Sequence, residues 1–303
     1  MSRAISSACV GLVAFFALAS STPRTAMAGS MTYIALGDSL AFGETDYSQN
    51  PSYGDRGYVS LVANNLAMQN GGVRPNVINL AVDGETTTSF FGGGQALMPQ
   101  NLNYSGTTTS QNTMLLSQIA AQQAAGNTIG NVTISLGAGD LYAVMNTPGF
   151  FSQTPSQQFS AILSSMSTIQ NNYTTLLNEL HTQLPNAQVT VVGYFNPYPA
   201  VPNAPAATLA GPAIQLLNAV IAGEAAAFGD KYVDTYSTFL GHEAQYTHIT
   251  DSPAGTNVDP NDLGYSVIAN SINAVPEPST TVLLGVLGLG IVGRSLRRFK
   301  LAA

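Results

Sequence analysis

Short apolar runs alternate with longer segments of helical periodicity along this chain, and that alternation constrains the fold more than any other feature. The runs fall at 32–36, 76–82, 132–136, 188–194 and 232–234, and the periodic segments at 58–68, 113–125, 155–184, 208–228 and 262–272. Apolar runs this short, bounded by Gly, Asn and Asp, read as buried strands. In the segment 155–184, Phe159, Ile162, Leu163, Met166, Ile169, Tyr173, Leu176, Leu177 and Leu180 recur at helical spacing. That spacing places them on one stripe facing a core. Strands alternating with helices join through crossovers, so the sheet is parallel and covered on both faces. Residues 46–57 and 89–110 are polar and Gly-rich and read as loops. No internal repeat is present, and residues 29–273 read as one domain.

The two ends of the 303-residue chain carry addresses. Residues 1–28 have the layout of a secretory signal: Arg3, an apolar core from Cys9 to Ala19, then the small residues Ala26-Met27-Ala28. The polar gap Thr22-Pro23-Arg24-Thr25 leaves the cleavage point open, with an uncleaved anchor as the alternative. At the other end, Val275-Pro276-Glu277-Pro278-Ser279 precedes an apolar run from Thr280 to Gly293, followed by Arg294, Arg297, Arg298 and Lys300. Residues 275–303 resemble the PEP-CTERM sorting signal of Gram-negative bacteria. The resemblance implies transient inner-membrane anchoring, processing by an exosortase-type transpeptidase, and residence in the cell envelope or matrix. An ordinary tail anchor is the alternative reading, since the run is short and its basic flank favours the cytoplasmic side.

Composition narrows the chemistry. Cys9 is the single cysteine, so the segment between the two signals has neither disulfides nor thiol chemistry. That segment holds three basic residues, Arg56, Arg74 and Lys231, against fifteen acidic ones, a net charge of −12. Nucleic-acid binding needs the opposite sign.

The stretch Tyr33-Ile34-Ala35-Leu36-Gly37-Asp38-Ser39 ends a strand with a hydroxyl at the edge where open α/β sheets place their ligands. Ser39 there is either a nucleophile awaiting a base or a helix cap. Three further blocks follow: Asn79-Leu80-Ala81-Val82-Asp83-Gly84-Glu85-Thr86, Gly137-Ala138-Gly139-Asp140, and Val258-Asp259-Pro260-Asn261-Asp262-Leu263-Gly264-Tyr265. In order and spacing the four blocks resemble the GDSL, or SGNH, hydrolase family. The resemblance implies a three-layer α/β/α, flavodoxin-like fold with a parallel sheet of about five strands, and ester hydrolysis through a serine nucleophile. By position it makes Ser39 the nucleophile and the backbone N–H groups of Ser39 and Gly84 oxyanion donors. Two positions depart from the pattern. Gly139 stands where the family has an Asn donor. Asp259 stands at the family's His, and Thr256 at its orienting Asp.

A substitute base is available in sequence. His248 lies eleven residues before Asp259, with Asp251 as a potential partner. His181 reads as a solvated helix residue and His242 as a loop residue. Asp38 and Asp140 read as caps or braces, and Arg56 as an ion-pair partner of Asp55 or another nearby acid, or as an anion clamp. No His/Cys cluster has metal-ligand spacing, and Gly92-Gly93-Gly94 has no P-loop lysine. No metal or cofactor is expected. Two functions stand side by side: an exported esterase acting on acyl esters of lipid or acetylated polysaccharide, weakened at Asp259 and Gly139, or a non-catalytic envelope protein retaining the fold.

Overall fold

The structure, a computed structural model, describes residues 29–44 and 54–274. The expectations for residues 1–28 and 275–303, and for most of the loop 46–57, lie outside the described residues.

Five strands form one parallel sheet: β1 (Met31–Gly37), β2 (Asn76–Asn79), β3 (Thr128–Ser135), β4 (Gln188–Val192) and β5 (Lys231–Val233). Their order is β2-β1-β3-β4-β5, and every pair is parallel. The helices are α1 (Ser39–Phe42), α2 (Gly57–Gln69), α3 (Thr87–Gly92), α4 (Gln111–Ala124), α5 (Ala138–Met145), α6 (Pro155–Gln183), α7 (Ala207–Phe228), α8 (Thr235–Phe239), α9 (Glu243–Tyr246) and α10 (Asp262–Asn273). α2 and α10 pack against each other on one face. On the opposite face α6 packs on α7, α3 and α5. The three-layer α/β architecture read from the sequence is the observed one.

The differences are local. β3 starts four residues before the expected 132, because the polar Thr128–Asn131 stretch pairs with the start of β1 across a register shift. Beyond β2, Leu80 and Val82 still donate to the carbonyls of Ala35 and Gly37. The expected loop 89–110 begins inside a helix. Thr86 and Ser89 cap each other reciprocally and start α3, a signal hidden by the Gly-rich stretch that follows. α5, α8 and α9 are too short to show a period and were not expected. On α6 the buried stripe begins at Ile162, while Phe159 and Leu163 are exposed. Among the described residues, α7 is the one helix long and apolar enough to cross a membrane. It packs into the core through Leu217, Ile221 and Ala225.

β1 is the element on which the site depends. It runs through the core, with Tyr33, Ile34, Ala35 and Leu36 fully buried. The chain leaves it towards β2 on one side and returns to β3 on the other. Doubly wound sheets bind ligands in the crevice outside the carboxyl ends of the strands where the winding reverses.

Candidate active site

At the end of β1 the chain turns through Gly37, whose φ is +137°. A Cβ there would lie 1.9 Å from the Ser135 carbonyl oxygen, so only glycine fits against β3. The Gln111 side chain pairs with both polar groups of Gly37. Its Oε1 accepts from the Gly37 N–H at 2.7 Å and its Nε2 donates to the Gly37 carbonyl at 3.0 Å. Asp38 N–H continues the ladder to Ser135 O at 2.9 Å. The Asp38 carboxyl then caps α1 by accepting from Leu40 N–H, and takes a 2.6 Å hydrogen bond from the Tyr194 hydroxyl. Asn218 holds Tyr194 by both its backbone groups. Burial pushes the Asp38 carboxyl up to about 7 against these two donors. Ser39, half-buried, is the first residue of α1. Asp38, rather than Ser39, is therefore the cap, and the capping alternative for Ser39 fails on geometry.

The Gly84 segment is fastened from the loop below it. Asn101 Nδ2 donates to the carbonyls of Asn79 and Ala81, Tyr104 to Leu80 and Gln95 to Gly84. Glu85 is fully buried, accepts from Ser89 and Gln111, and is raised by desolvation. Asp140 accepts from the N–H and hydroxyl of Thr87 at 2.7 and 2.8 Å, which joins α5 to α3. Asp140 is thus a brace, as its sequence position suggests.

Gly139 has a structural reason of its own. A Cβ at this position would lie 2.0 Å from the Glu85 carbonyl oxygen and 3.3 Å from that of Gly84. The start of α5 is packed against the Gly84-Glu85 backbone in the space a side chain would need. The position is therefore not a vacancy into which an asparagine donor fits.

The Ser39 side chain and the Asp259 carboxyl come close enough to act on each other. More than two hundred residues separate them in sequence, and the fold brings them together. The Asp259 carboxyl is pushed up to about 7, first by desolvation, then by the negative charges of Asp83 and Glu44, while the Ser39 hydroxyl pulls the other way. Asp38 in turn feels Asp83 and Asp259.

Thr256 does not join this group. It is exposed, and its hydroxyl donates to Pro253 O at 2.7 Å. His248 is a backbone neighbour of Asp259. Thr247 and Pro260 form an antiparallel bridge, and His248 N–H donates to Asp259 O at 3.0 Å. The imidazole Nδ1 is 2.7 Å from Asp251 Oδ2, the pairing anticipated from sequence. His181 is not simply solvated. It pairs with Asp230 at 2.8 Å and stacks on Phe228. His242 stacks on Tyr246. Arg74 takes Asp55, at 2.6 Å. Arg56 donates to Phe42 O, with its guanidinium 3.7 Å above the Phe42 ring. Among the described residues no cluster of three or more His, Cys, Asp or Glu side chains is arranged to hold a metal ion.

Four residues escaped the sequence reading: Gln111, Tyr194, Glu44 and Asp83. Asp83 lies inside a recognised block and Glu44 follows α1 directly, so proximity was their signal. Gln111 and Tyr194 carried none, since each reaches the Ser39 turn from a segment far away in sequence.

The sequence profile of the GDSL-like Lipase/Acylhydrolase family matches residues 35–267. The chain belongs to that family. The PEP-CTERM protein-sorting motif matches residues 274–298, which indicates export and association with a bacterial envelope. The fold is similar to that of an extracellular lipase from Streptomyces rimosus. The two share 23% identity over 80% of this chain and 99% of that one, with a TM-score of 0.56. It is also similar to the lipase Lip_vut3 from a goat rumen metagenome (20% identity, 80% and 96% covered, TM-score 0.57). A third similar structure is an acetylxylan esterase of Geobacillus stearothermophilus (15% identity, 80% and 93% covered, TM-score 0.51). Comparison with curated protein sequences gives no match.

Proposed function

We infer that this chain is an exported ester hydrolase in which Ser39 attacks the ester carbonyl and Asp259, in place of a histidine, takes the serine proton. One observation carries the reading. The Ser39 hydroxyl lies against a carboxyl whose surroundings raise it to about 7. An ordinary aspartate near 3.9 is a poor base, whereas one near 7 matches the usual 6.5 of histidine. Burial beside Asp83 and Glu44 thus supplies by environment what the side chain lacks by chemistry.

The steps follow. Ser39 Oγ bonds to the ester carbon as its proton passes to Asp259. The carbonyl oxygen becomes an oxyanion, met by the backbone N–H groups of Ser39 and Gly84. The C–O bond then breaks, and Asp259 returns the proton to the leaving alkoxide. Water repeats the sequence on the acyl-serine and releases the acid. With two backbone donors and no asparagine donor, turnover is slow. Losing one such donor typically costs on the order of 10²–10³ in rate.

The substrates are acyl esters of lipid or polysaccharide in the envelope of a Gram-negative bacterium. The tail holds the chain transiently in the inner membrane until an exosortase-type enzyme cuts near Pro276-Glu277-Pro278, and the mature form spans about residues 29–275. A second reading, a non-catalytic envelope protein, draws on Thr256, which faces Pro253 and orients nothing.

A fluorophosphonate probe decides between them. Covalent labelling of Ser39, lost in Ser39→Ala and slowed about 10²–10⁴-fold in Asp259→Asn, is the expected result. No labelling of the folded wild-type chain at pH 8 sinks the hydrolase reading.

A further inference from the structure

The two ends of the domain that lead into the sorting addresses leave it at one edge, the edge opposite Ser39. β1 starts at Met31 and runs to the Ser39 turn, so residue 29 lies at the N-terminal edge of the parallel sheet. Ser30 is fastened there by Asn127, whose Oδ1 accepts from its N–H and from its hydroxyl, each at 3.0 Å. α10 starts just after Asp259 and runs for 12 residues, about 18 Å. Gly57, at the start of α2, lies against Tyr265 in the first turn of α10, and the two helices pack on each other, so they end at the same edge. Lys231 Nζ donates to the carbonyls of Ile272 and Ala274, both at 2.7 Å, and fixes the exit of the chain. The same edge carries Met31, Met68 in the last turn of α2, and Val73 in the segment leading to β2, which are 39%, 74% and 65% exposed.

We propose that, while the tail holds the chain in the membrane, this edge rests on the phospholipid bilayer and Ser39 faces away from it. The proposal rests on the membrane-anchoring reading of the tail given above, and not on the esterase reading.

The reach of the tether excludes the opposite arrangement. Residues 275–279 alone separate Ala274 from the apolar run that begins at Thr280. Fully extended, the step from Ala274 to Thr280 covers at most about 22 Å. With Ser39 against the bilayer, Ala274 would stand about 18 Å above it, the length of α10, and the headgroup layer adds about 5–8 Å. The link is shorter than that sum. The run cannot lend it residues, because 280–293, even as one helix, would cover only about 21 Å of a hydrocarbon core near 30 Å.

Charge favours the same orientation. Asp38, Glu44, Asp83 and Asp259 lie close enough around Ser39 to act on one another. At the opposite edge the ammonium of Lys231 holds the exit, and Asp230 is paired with His181 at 2.8 Å. An anionic bilayer repels the acidic end and scarcely feels it beyond a Debye length of about 8–10 Å. Turning that end outward removes the repulsion and sets the apolar side chains of Met31, Met68 and Val73 against lipid. On the esterase reading, a tethered chain so placed meets esters that stand clear of its own membrane, such as those of matrix polysaccharide, and not the lipids beneath it.

The test attaches a fluorophore at single thiols in the full chain carrying Cys9→Ser, which otherwise has no cysteine. The chain is exported in a host without an exosortase, which keeps the tail. It is then reconstituted in phosphatidylglycerol–phosphatidylethanolamine vesicles containing a lipid with a nitroxide on its headgroup. Met68→Cys and Val73→Cys mark the docking edge, and Leu240→Cys and Leu263→Cys the Ser39 end. All four positions are exposed, so the fold should be kept. Fluorescence should be lost at positions 68 and 73 and retained at 240 and 263. Equal loss at all four, loss at the Ser39 end alone, or loss at none overturns the docking, while flotation with the vesicles leaves the anchor standing. A chain that does not float overturns both. The expected contrast in a chain whose Ser39 is inert to fluorophosphonate upholds the docking and removes only the esterase.

Discussion

The two halves of the candidate dyad are built differently. Ser39 sits on a turn held from every side: Gly37 is clamped by Gln111, Asp38 by Tyr194 and Leu40, and the strand beneath is fully buried. Asp259 sits at the end of an exposed loop tied by one antiparallel bridge at Thr247–Pro260, by His248 N–H on its own carbonyl, and by Asn257 on its own N–H. A nucleophile placed by core hydrogen bonds cannot drift without breaking the sheet edge. A base placed by a surface loop can change identity at little cost to the fold. On the proposed mechanism, that difference lets a carboxyl serve opposite a serine turn of fixed form.

The largest effect should come from changing the base. Asp259→His should raise hydrolysis of a short activated ester by orders of magnitude, since Asp259 matches histidine in basicity alone, while an imidazole takes the serine proton on one nitrogen as a carboxylate holds the other, and loss of a triad His costs about 10⁶ in comparable enzymes. Thr256→Asp, suggested by the family pattern, should add nothing, because position 256 faces Pro253 and the carboxylates that act on position 259 are Asp83 and Glu44. Steady-state rates of the two single variants and the double decide this. A double variant far faster than Asp259→His would show that the loop rearranges, and would weaken the contrast between a fixed turn and a passive loop.

Next in size is a change on the fixed side. Gly139→Asn restores the family's residue, yet its Cβ would meet the Glu85 carbonyl at 2.0 Å. We expect a loss of about 1–3 kcal/mol in urea unfolding and no gain in rate. A stable, faster variant would mean that α5 is as adaptable as the loop.

The pH response tests both halves together. Asp38 and Asp259 both sit near 7 when folded and near 3.9 when unfolded. Between about pH 4 and 7 the folded chain therefore binds more protons, so stability falls as pH rises across that window. Activity should run the other way, rising as Asp259 loses its proton near 7. Thermal melts and initial rates over pH 4–9 should show the two curves opposed, and Asp259→Asn should flatten part of the stability slope. Rates independent of pH from 5 to 9 would remove Asp259 as the base.

The smallest effect belongs to His248→Ala. Its imidazole is engaged by Asp251 and only its backbone meets Asp259, so the rate should change by about twofold or less. A large loss would move the base from Asp259 to His248.

The strand–helix alternation and the stripe on α6 were legible in the sequence because burial on a sheet imposes a local period, and a period survives in one dimension. The same holds for the Ser39 turn and for Asp140 as a brace. α3 was missed because its capping signal is one reciprocal pair, and α8 and α9 because four or five residues make no period. The environment of the site was not legible at all. The resemblance set Asp259 opposite Ser39, but that Gln111 and Tyr194 fasten the turn and that Gly139 is pressed against Glu85 are contacts between distant segments. So too is the lift of Asp259 to about 7, since desolvation and the charges of Asp83 and Glu44 exist only once the chain has closed around them. Local spacing determined the layers and the nucleophile's turn. Long-range packing decided how tightly the Asp259 carboxyl holds its proton, because a side chain's basicity depends on what surrounds it and not on its neighbours in sequence.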